Sequence, residues 1–257
     1  MNRAVKTALK VVGVVLAVVA LAVGSLAYSA FGGRAAIVDG AAPAPDVRIV
    51  KDGFVCVGMV DAGDGKVLLV DAGNDPTGKA IFAELSRRHL GGDAVSAIFL
   101  THGHADHTAG AHLFPHAAVY ALQADVALAE GREGSHGPLT HFISPKPNGT
   151  LVTRALHDDE TVVVGSKSVR VFAVPGHTAG SAAYLVSGVL FLGDSAGLKS
   201  DGTLVGAPWA FSDNSAQNHA ALKALADRLR PEQVSIVAIV PAHTASSTFD
   251  PLAQYTP

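Results

Sequence analysis

The chain has 257 residues, a formal net charge of −3 and a single cysteine. An acidic balance makes a poor partner for polyanions, so nucleic acid is disfavoured as a substrate. One cysteine, Cys56 in the run Phe54-Val55-Cys56-Val57, excludes an intrachain disulfide and a cysteine-rich zinc site, and reads as a packed strand thiol.

In chain order, Arg3, Lys6 and Lys10 precede an almost uninterrupted apolar run from Val11 to Phe31. A run of about twenty apolar residues is long enough to span a bilayer. Small residues at Ser25, Ala27, Ser29 and Ala30 also suit secretory cleavage. Residues 1–31 are therefore expected to be a signal peptide or a transmembrane anchor. Either role places the remainder outside the cytoplasm, periplasmic or held at the inner membrane. Residues 32–46, rich in Pro and Ala, read as a linker, with the folded domain expected over 47–257.

Alternating apolar stretches predict strands at 47–51, 54–60 and 66–71, with a Gly-Asp-Gly turn at 63–65. A helix is expected at 76–90, with Ile81, Phe82 and Leu85 on one face, then a strand at 95–100. A helix at 108–114, a strand at 117–121, a short helix at 123–130 and a long loop at 131–150 follow. Strands are expected at 161–165, 168–174, 182–187 and 189–192, then a helix at 214–229 and a strand at 234–240. Strands interleaved with helices predict a layered α/β architecture.

Residues 101–107, Thr-His-Gly-His-Ala-Asp-His, follow the apolar strand Ala97-Ile98-Phe99-Leu100 and place three imidazoles and a carboxylate within six positions. Imidazole and carboxylate together suit zinc, iron or manganese. Four other apolar stretches end as abruptly in a ligand type: Val67 to Asp71, Val171 to His177, Val189 to Asp194 and Ile236 to His243. Jointly they supply donors enough for two metals.

The segments Thr-His-Gly-His-Ala-Asp-His (101–107), Pro-Gly-His-Thr-Ala-Gly-Ser (175–181), Gly-Asp-Ser (193–195) and Pro-Ala-His-Thr (241–244) together resemble the metallo-β-lactamase-fold hydrolases. The closest pattern is the branch with a bridging aspartate, which includes glyoxalase II-like thioesterases and metallo-lactonases. The resemblance covers roughly Val47 to Phe249 and implies a four-layer αββα sandwich. It implies that His102, His104 and His177 hold one metal, that Asp106, His107 and His243 hold a second, and that Asp194 bridges them. Asp71 would stand behind the ligands and orient their loop. Two zinc ions per chain are implied, with iron or manganese as alternatives. The expected reaction is attack of a metal-bound hydroxide on a small ester, thioester or lactone, with Asp106 assisting proton transfer. An exported β-lactamase and a one-iron persulfide dioxygenase are the alternatives. Only fourteen residues follow His243, where glutathione-thioester hydrolases add a helical region, which counts against that substrate.

Ser181 and Ser195 read as turn and cap residues. His136, His141 and Trp209 are candidate substrate contacts. His112 and His116 are not expected to bind metal, and His89, His157 and His219 read as surface residues. The expected partners are a small-molecule substrate and, with an uncleaved N-terminus, a membrane.

Overall fold

The computed structural model describes residues 2–256, without the side chains of residues 4–9, 22, 26, 27 and 29–31. Two compact units result, Met1–Arg34 and Ala35–Pro257. The first contains one helix, α1 (Arg3–Phe31), on which Val11, Val12, Leu16 and Leu21 are exposed. Among the described residues no helix is long and apolar enough to cross a membrane. The signal-or-anchor reading of residues 1–31 falls partly on side chains outside the described set.

In the second unit, β1 (Val47–Asp52), β2 (Val55–Gly63) and β3 (Lys66–Val70) form an antiparallel meander. Helix α2 (Lys79–Arg87) then crosses to β4 (Val95–Phe99), and one-turn α3 (Ala105–Thr108) leads to β5 (Ala118–Leu122). One-turn α4 (Val126–Ala129) and a long irregular segment precede β6 (Arg154–Leu156), so that β3 to β6 run parallel. The second sheet begins with β7 (Thr161–Val164), β8 (Lys167–Ala173), β9 (Ala182–Val186) and β10 (Val189–Gly193), paired antiparallel. A small hairpin, β11 (Ala196–Leu198) and β12 (Leu204–Gly206), leads to α5 (Ser215–Leu229). Strand β13 (Ala238–Pro241) then pairs parallel with β10, and α6 (Asp250–Ala253) closes the fold.

Successive side chains point to opposite faces, and the central strands bury both, as β9 and β10 do along their whole length. Inward residues Val60, Leu68, Val70 and Phe99 meet Val171, Tyr184, Phe191 and Val240 of the second sheet. Phe99 stacks on Tyr120 at 4.6 Å and meets Tyr184 edge-on at 5.3 Å. Outward, Met59, Leu69 and Ile98 pack against Ile81 and Leu85 of α2, while Phe172, Leu190 and Leu192 pack against Leu222, Leu225 and Leu229 of α5. The result is the expected four-layer αββα sandwich. Strands β3 and β4 share a direction, as do β8, β10 and β13, so the segments leaving these ends collect at one edge.

Several expectations need correction. From Ala35 onward the presumed linker is part of the compact unit. Gly40 donates to Ile49 O and Ile49 donates to Ala41 O, both at 2.8 Å, and Ala44 is buried. Small Ala and Pro side chains suit close packing along β1 as well as they suit a tether. The helix expected at 108–114 starts inside the histidine-rich segment and is followed by a 3₁₀ turn at Ala111–Leu113. Residues Arg230–Ser235, expected partly as strand, form a 3₁₀ turn primed by Pro231. Strands β6, β11 and β12 are too short to leave a periodic signal. His219 is half-buried and stacks on Tyr255 rather than lying free on the surface.

At Gly58, in the middle of β2, an added Cβ would run into the Phe191 ring. Gly58→Ala is expected to cost about 1–3 kcal/mol by overpacking. Gly58→Ala with Phe191→Leu should recover part of that cost. Denaturant unfolding of the two single variants and the pair checks this, and strict additivity would refute it.

Candidate metal centre

Beyond β4 the chain bends at Thr101 and His102 and reaches an extended His104 at the start of α3, which brings His102 Nε2 within 3.0 Å of His104 Nδ1. The turn of α3 then displays Asp106 and His107. His177 follows β8, Asp194 follows β10 and His243 follows β13. All seven expected ligand residues converge here.

His102 Nε2, His104 Nδ1 and His177 Nε2 form a triangle with sides of 3.0, 3.0 and 3.2 Å. A tetrahedral ion bound at about 2.0–2.1 Å holds its nitrogen ligands about 3.3–3.4 Å apart, close to this spacing. A second group comprises Asp106, His107 and His243. Asp106 Oδ2 lies 3.4 Å from His243 Nε2 and 3.7 Å from His107 Nε2. Asp194 faces both groups: its Oδ1 lies 3.0 Å from His243 Nε2 and 3.3 Å from His107 Nε2, and its Oδ2 lies 3.5 Å from His177 Nε2. His107 Nε2 and Asp194 Oδ1 are buried without a hydrogen-bond partner among the described residues. Orphaned buried polar atoms are rare. A divalent cation contacting both would resolve the deficit, so the residues present fit a two-metal centre.

Every outer ring nitrogen is engaged, which fixes the inner one as the ligand atom. His107 Nδ1 donates to Asp71 Oδ2 at 2.8 Å, and His243 Nδ1 donates to Phe54 O at 2.8 Å. His102 Nδ1 donates to Thr101 Oγ1 at 3.2 Å, and that hydroxyl donates onward to Asp71. His177 Nδ1 donates to Ser212 Oγ at 3.1 Å, and the Ser212 hydroxyl donates onward to Pro208 O at 2.8 Å. His104 Nε2 donates to Ser135 Oγ at 3.0 Å, which in turn bonds Thr140 Oγ1 at 2.5 Å. Asp71, in a left-handed conformation with φ 64°, also accepts from Thr101 N at 2.7 Å. It therefore orients both the ligand loop and His107, while lying outside the donor cluster.

Sequence reasoning did not single out Thr101, Ser135, Ser212, the carbonyl of Phe54 or Asp125. Asp125 is buried behind the His102–His104 turn and accepts from Gly103 N at 2.8 Å. The three candidate substrate contacts are placed differently. His136 is exposed, with its ring on Glu133. His141 is exposed, packs on Phe142 and bonds Gly137 O. Trp209 is half-exposed and opens the turn that carries Ser212. No described contact joins these three side chains to a donor atom. Ser181 caps its own turn by accepting from Thr178 N, as expected.

The electrostatics divide the centre. Burial, with the charge of neighbouring imidazoles, holds His102 well below the ordinary histidine range. Burial also lowers His104, and it pushes His177 down to about 3. In the second group burial acts in the same sense but is outweighed. The charges of Asp71, Asp106 and Asp194 hold His107 well above its usual value, and those of Asp194 and Asp106 raise His243 to about 10. Asp106 and Asp194 are held low by the same pairs, against burial.

Such a donor set at one edge of an αββα sandwich fits a two-metal centre. Residues 50–243 match the model of the metallo-beta-lactamase superfamily, and the chain belongs to that family. Hydroxyacylglutathione hydrolase of Shewanella sp. (strain ANA-3) is 32% identical over 146 residues, 56% of this chain and 45% of that protein. The protein of the same name from Acidiphilium cryptum (strain JF-5) is 30% identical over 163 residues, 63% of this chain and 56% of that protein. The chain thus spans between about a third and just over half of the length of the curated relatives it matches. Among solved structures, a metallo-beta-lactamase family protein from Thermus thermophilus aligns with a TM-score of 0.60 at 22% identity, covering 80% of this chain and 76% of that one. BJP-1, a subclass B3 metallo-beta-lactamase of Bradyrhizobium japonicum, aligns with a TM-score of 0.59 at 20% identity, covering 82% and 80%. These structural likenesses establish the fold.

Because His243 titrates above its unfolded value, the stability it gives the metal-free chain is complete below about pH 6.5 and is lost as pH rises through about 10. Cations entering the second group displace protons from His107 and His243, whereas the first group already holds neutral imidazoles. Zinc uptake by the metal-free protein at neutral pH is therefore expected to release close to two protons, all at one of two sites. Calorimetric titration in buffers of different ionisation enthalpy measures this, and heats independent of buffer would refute it.

Proposed function

We propose that this chain hydrolyses a small ester, thioester or lactone at a two-metal centre, with zinc as the resident metal. The observation that carries the proposal is Asp194, whose two oxygens face the two donor groups separately while Oδ1 and its neighbour His107 Nε2 make no hydrogen bond among the described residues. His102, His104 and His177 would hold one ion, Asp106, His107 and His243 the other, and Asp194 both. Divalent cations bound there supply Lewis acidity and lower the pKa of water from about 16 to about 7.

The chain's own residues do the rest. The partners behind each imidazole hold the inner nitrogens in one orientation, so little reorganisation accompanies reaction. Asp106 is the one carboxylate of the cluster with substantial solvent access, at 24% side-chain exposure against 8% for Asp194. That access suits it to accept a proton and pass it to the leaving group. No Ser or Cys nucleophile is needed: Ser181 is committed to Thr178, and Cys56 lies buried with its thiol raised well above the usual range by burial.

Relatives named hydroxyacylglutathione hydrolase favour a thioester within this class. A one-iron oxidative role would leave the Asp106, His107 and His243 grouping without a purpose. For location, the basic start and apolar run of residues 1–31 support export with cleavage or anchoring. Fractionation of cells expressing the full chain tests it, and recovery of the full-length chain in the cytoplasm would refute it.

The parent should bind about two equivalents of zinc and turn over at least one class in a screen of thioesters, lactones, aryl esters and β-lactams. His102→Ala and Asp194→Ala should each lower metal content and reduce turnover by at least about two orders of magnitude. Parent-like turnover by both variants would overturn the assignment.

A further inference from the structure

We propose that Asp125 is a positioning residue for the first donor group, clamping the His102–His104 turn to the His177 loop. The proposal rests on the two-metal reading above. Asp125 ends a 3₁₀ turn after β5, at the start of α4, and is 1% exposed. Its Oδ2 accepts from Gly103 N at 2.8 Å and from Thr178 Oγ1 at 2.7 Å, and its Oδ1 accepts from Gly180 N at 2.6 Å. Gly103 sits between two of the ligands of that group, and Thr178 directly follows the third. One carboxylate thus ties together segments that lie 75 residues apart in sequence.

The packing is closed around it. A Cβ on Gly103 would lie 2.5 Å from Ala129 N, and one on Gly180 would lie 2.5 Å from Asp125 N. Both loops therefore press their backbone onto the Asp125 segment, and the carboxylate is the acceptor for the N–H groups they present there. An amide cannot replace it. In either orientation, an asparagine at this position turns its NH₂ toward one of the two backbone N–H donors, which leaves that donor unpaired. The volume is unchanged, so the fault is confined to the clamp.

The test uses the full chain, stripped of metal and titrated with Co²⁺ alone, with visible absorption as the readout. The parent should take up two equivalents. Asp125→Asn should keep one tight equivalent, with the spectrum that His104→Ala shows, and bind the other ten- to a hundredfold more weakly. Two equivalents at parental affinity, or equal weakening of both, would overturn the proposal. If Asp125→Asn loses its native near-UV circular dichroism, Thr178→Val replaces it, removing one of the donors and keeping the shape. Selective weakening of one equivalent then supports the clamp, and parental binding overturns it. A parent that binds no cobalt would instead overturn the two-metal reading beneath.

Discussion

The structure turns on the burial of Asp194. Its carboxylate is 8% exposed, and taking such a charge out of water costs several kcal/mol unless opposite charge meets it. Three carboxylates, Asp71, Asp106 and Asp194, surround His107, and in the metal-free chain the opposite charge comes from protons on His107 and His243. Protons only partly satisfy the geometry, because His107 Nε2 and Asp194 Oδ1, although 3.3 Å apart, make no hydrogen bond among the described residues. The polypeptide alone leaves the arrangement incomplete. That incompleteness is the physical content of the metal assignment.

Topology makes the arrangement possible. Seven side chains from segments between residues 102 and 243 can meet only if their strands end at the same edge, and the parallel pairs β3–β4 and β10–β13 achieve this. The apolar layers behind them hold the strand ends still: Phe99, Tyr184 and Phe191 are all at or below 3% exposure, and the Tyr184 hydroxyl bonds the last carbonyl before the ligand segment. A core this tightly packed fixes ligand positions before any ligand arrives, which a loop-borne site could not do.

How much of this was legible in the sequence follows from where each residue sits. The seven donors stood out because they fall in the segments that leave buried apolar strands, where polar residues interrupt an otherwise regular pattern. The groups that orient them carry no such mark. Ser135 lies 31 residues from His104, Ser212 lies 35 from His177, and the Phe54 carbonyl lies 189 from His243. A serine in a loop, or a backbone carbonyl, has no signature until the fold brings it into place. The stretch before β1 misled for the opposite reason. Its composition matches a flexible tether, yet Ile37 and Ala41 pack against the intersheet core, and composition does not record packing.

The partners behind the histidines also explain why the two halves of the centre differ. The first group is backed by hydroxyls, those of Thr101, Ser135 and Ser212, which accept a proton's hydrogen bond without adding charge. Buried imidazoles so supported stay neutral, as the depressed values of His102, His104 and His177 record. In the second group Asp71 backs His107 with a full negative charge, which raises the basicity of the ring and its strength as a donor. Asp106 adds another charge beside His243. The asymmetry therefore originates partly in the groups behind the imidazoles and partly in the acidic ligands Asp106 and Asp194 themselves, and it makes the second group the more strongly cation-seeking half. The centre thus presents one side set by neutral donors and another set by concentrated carboxylate charge, and Asp106, the most exposed of those carboxylates, stands on the second.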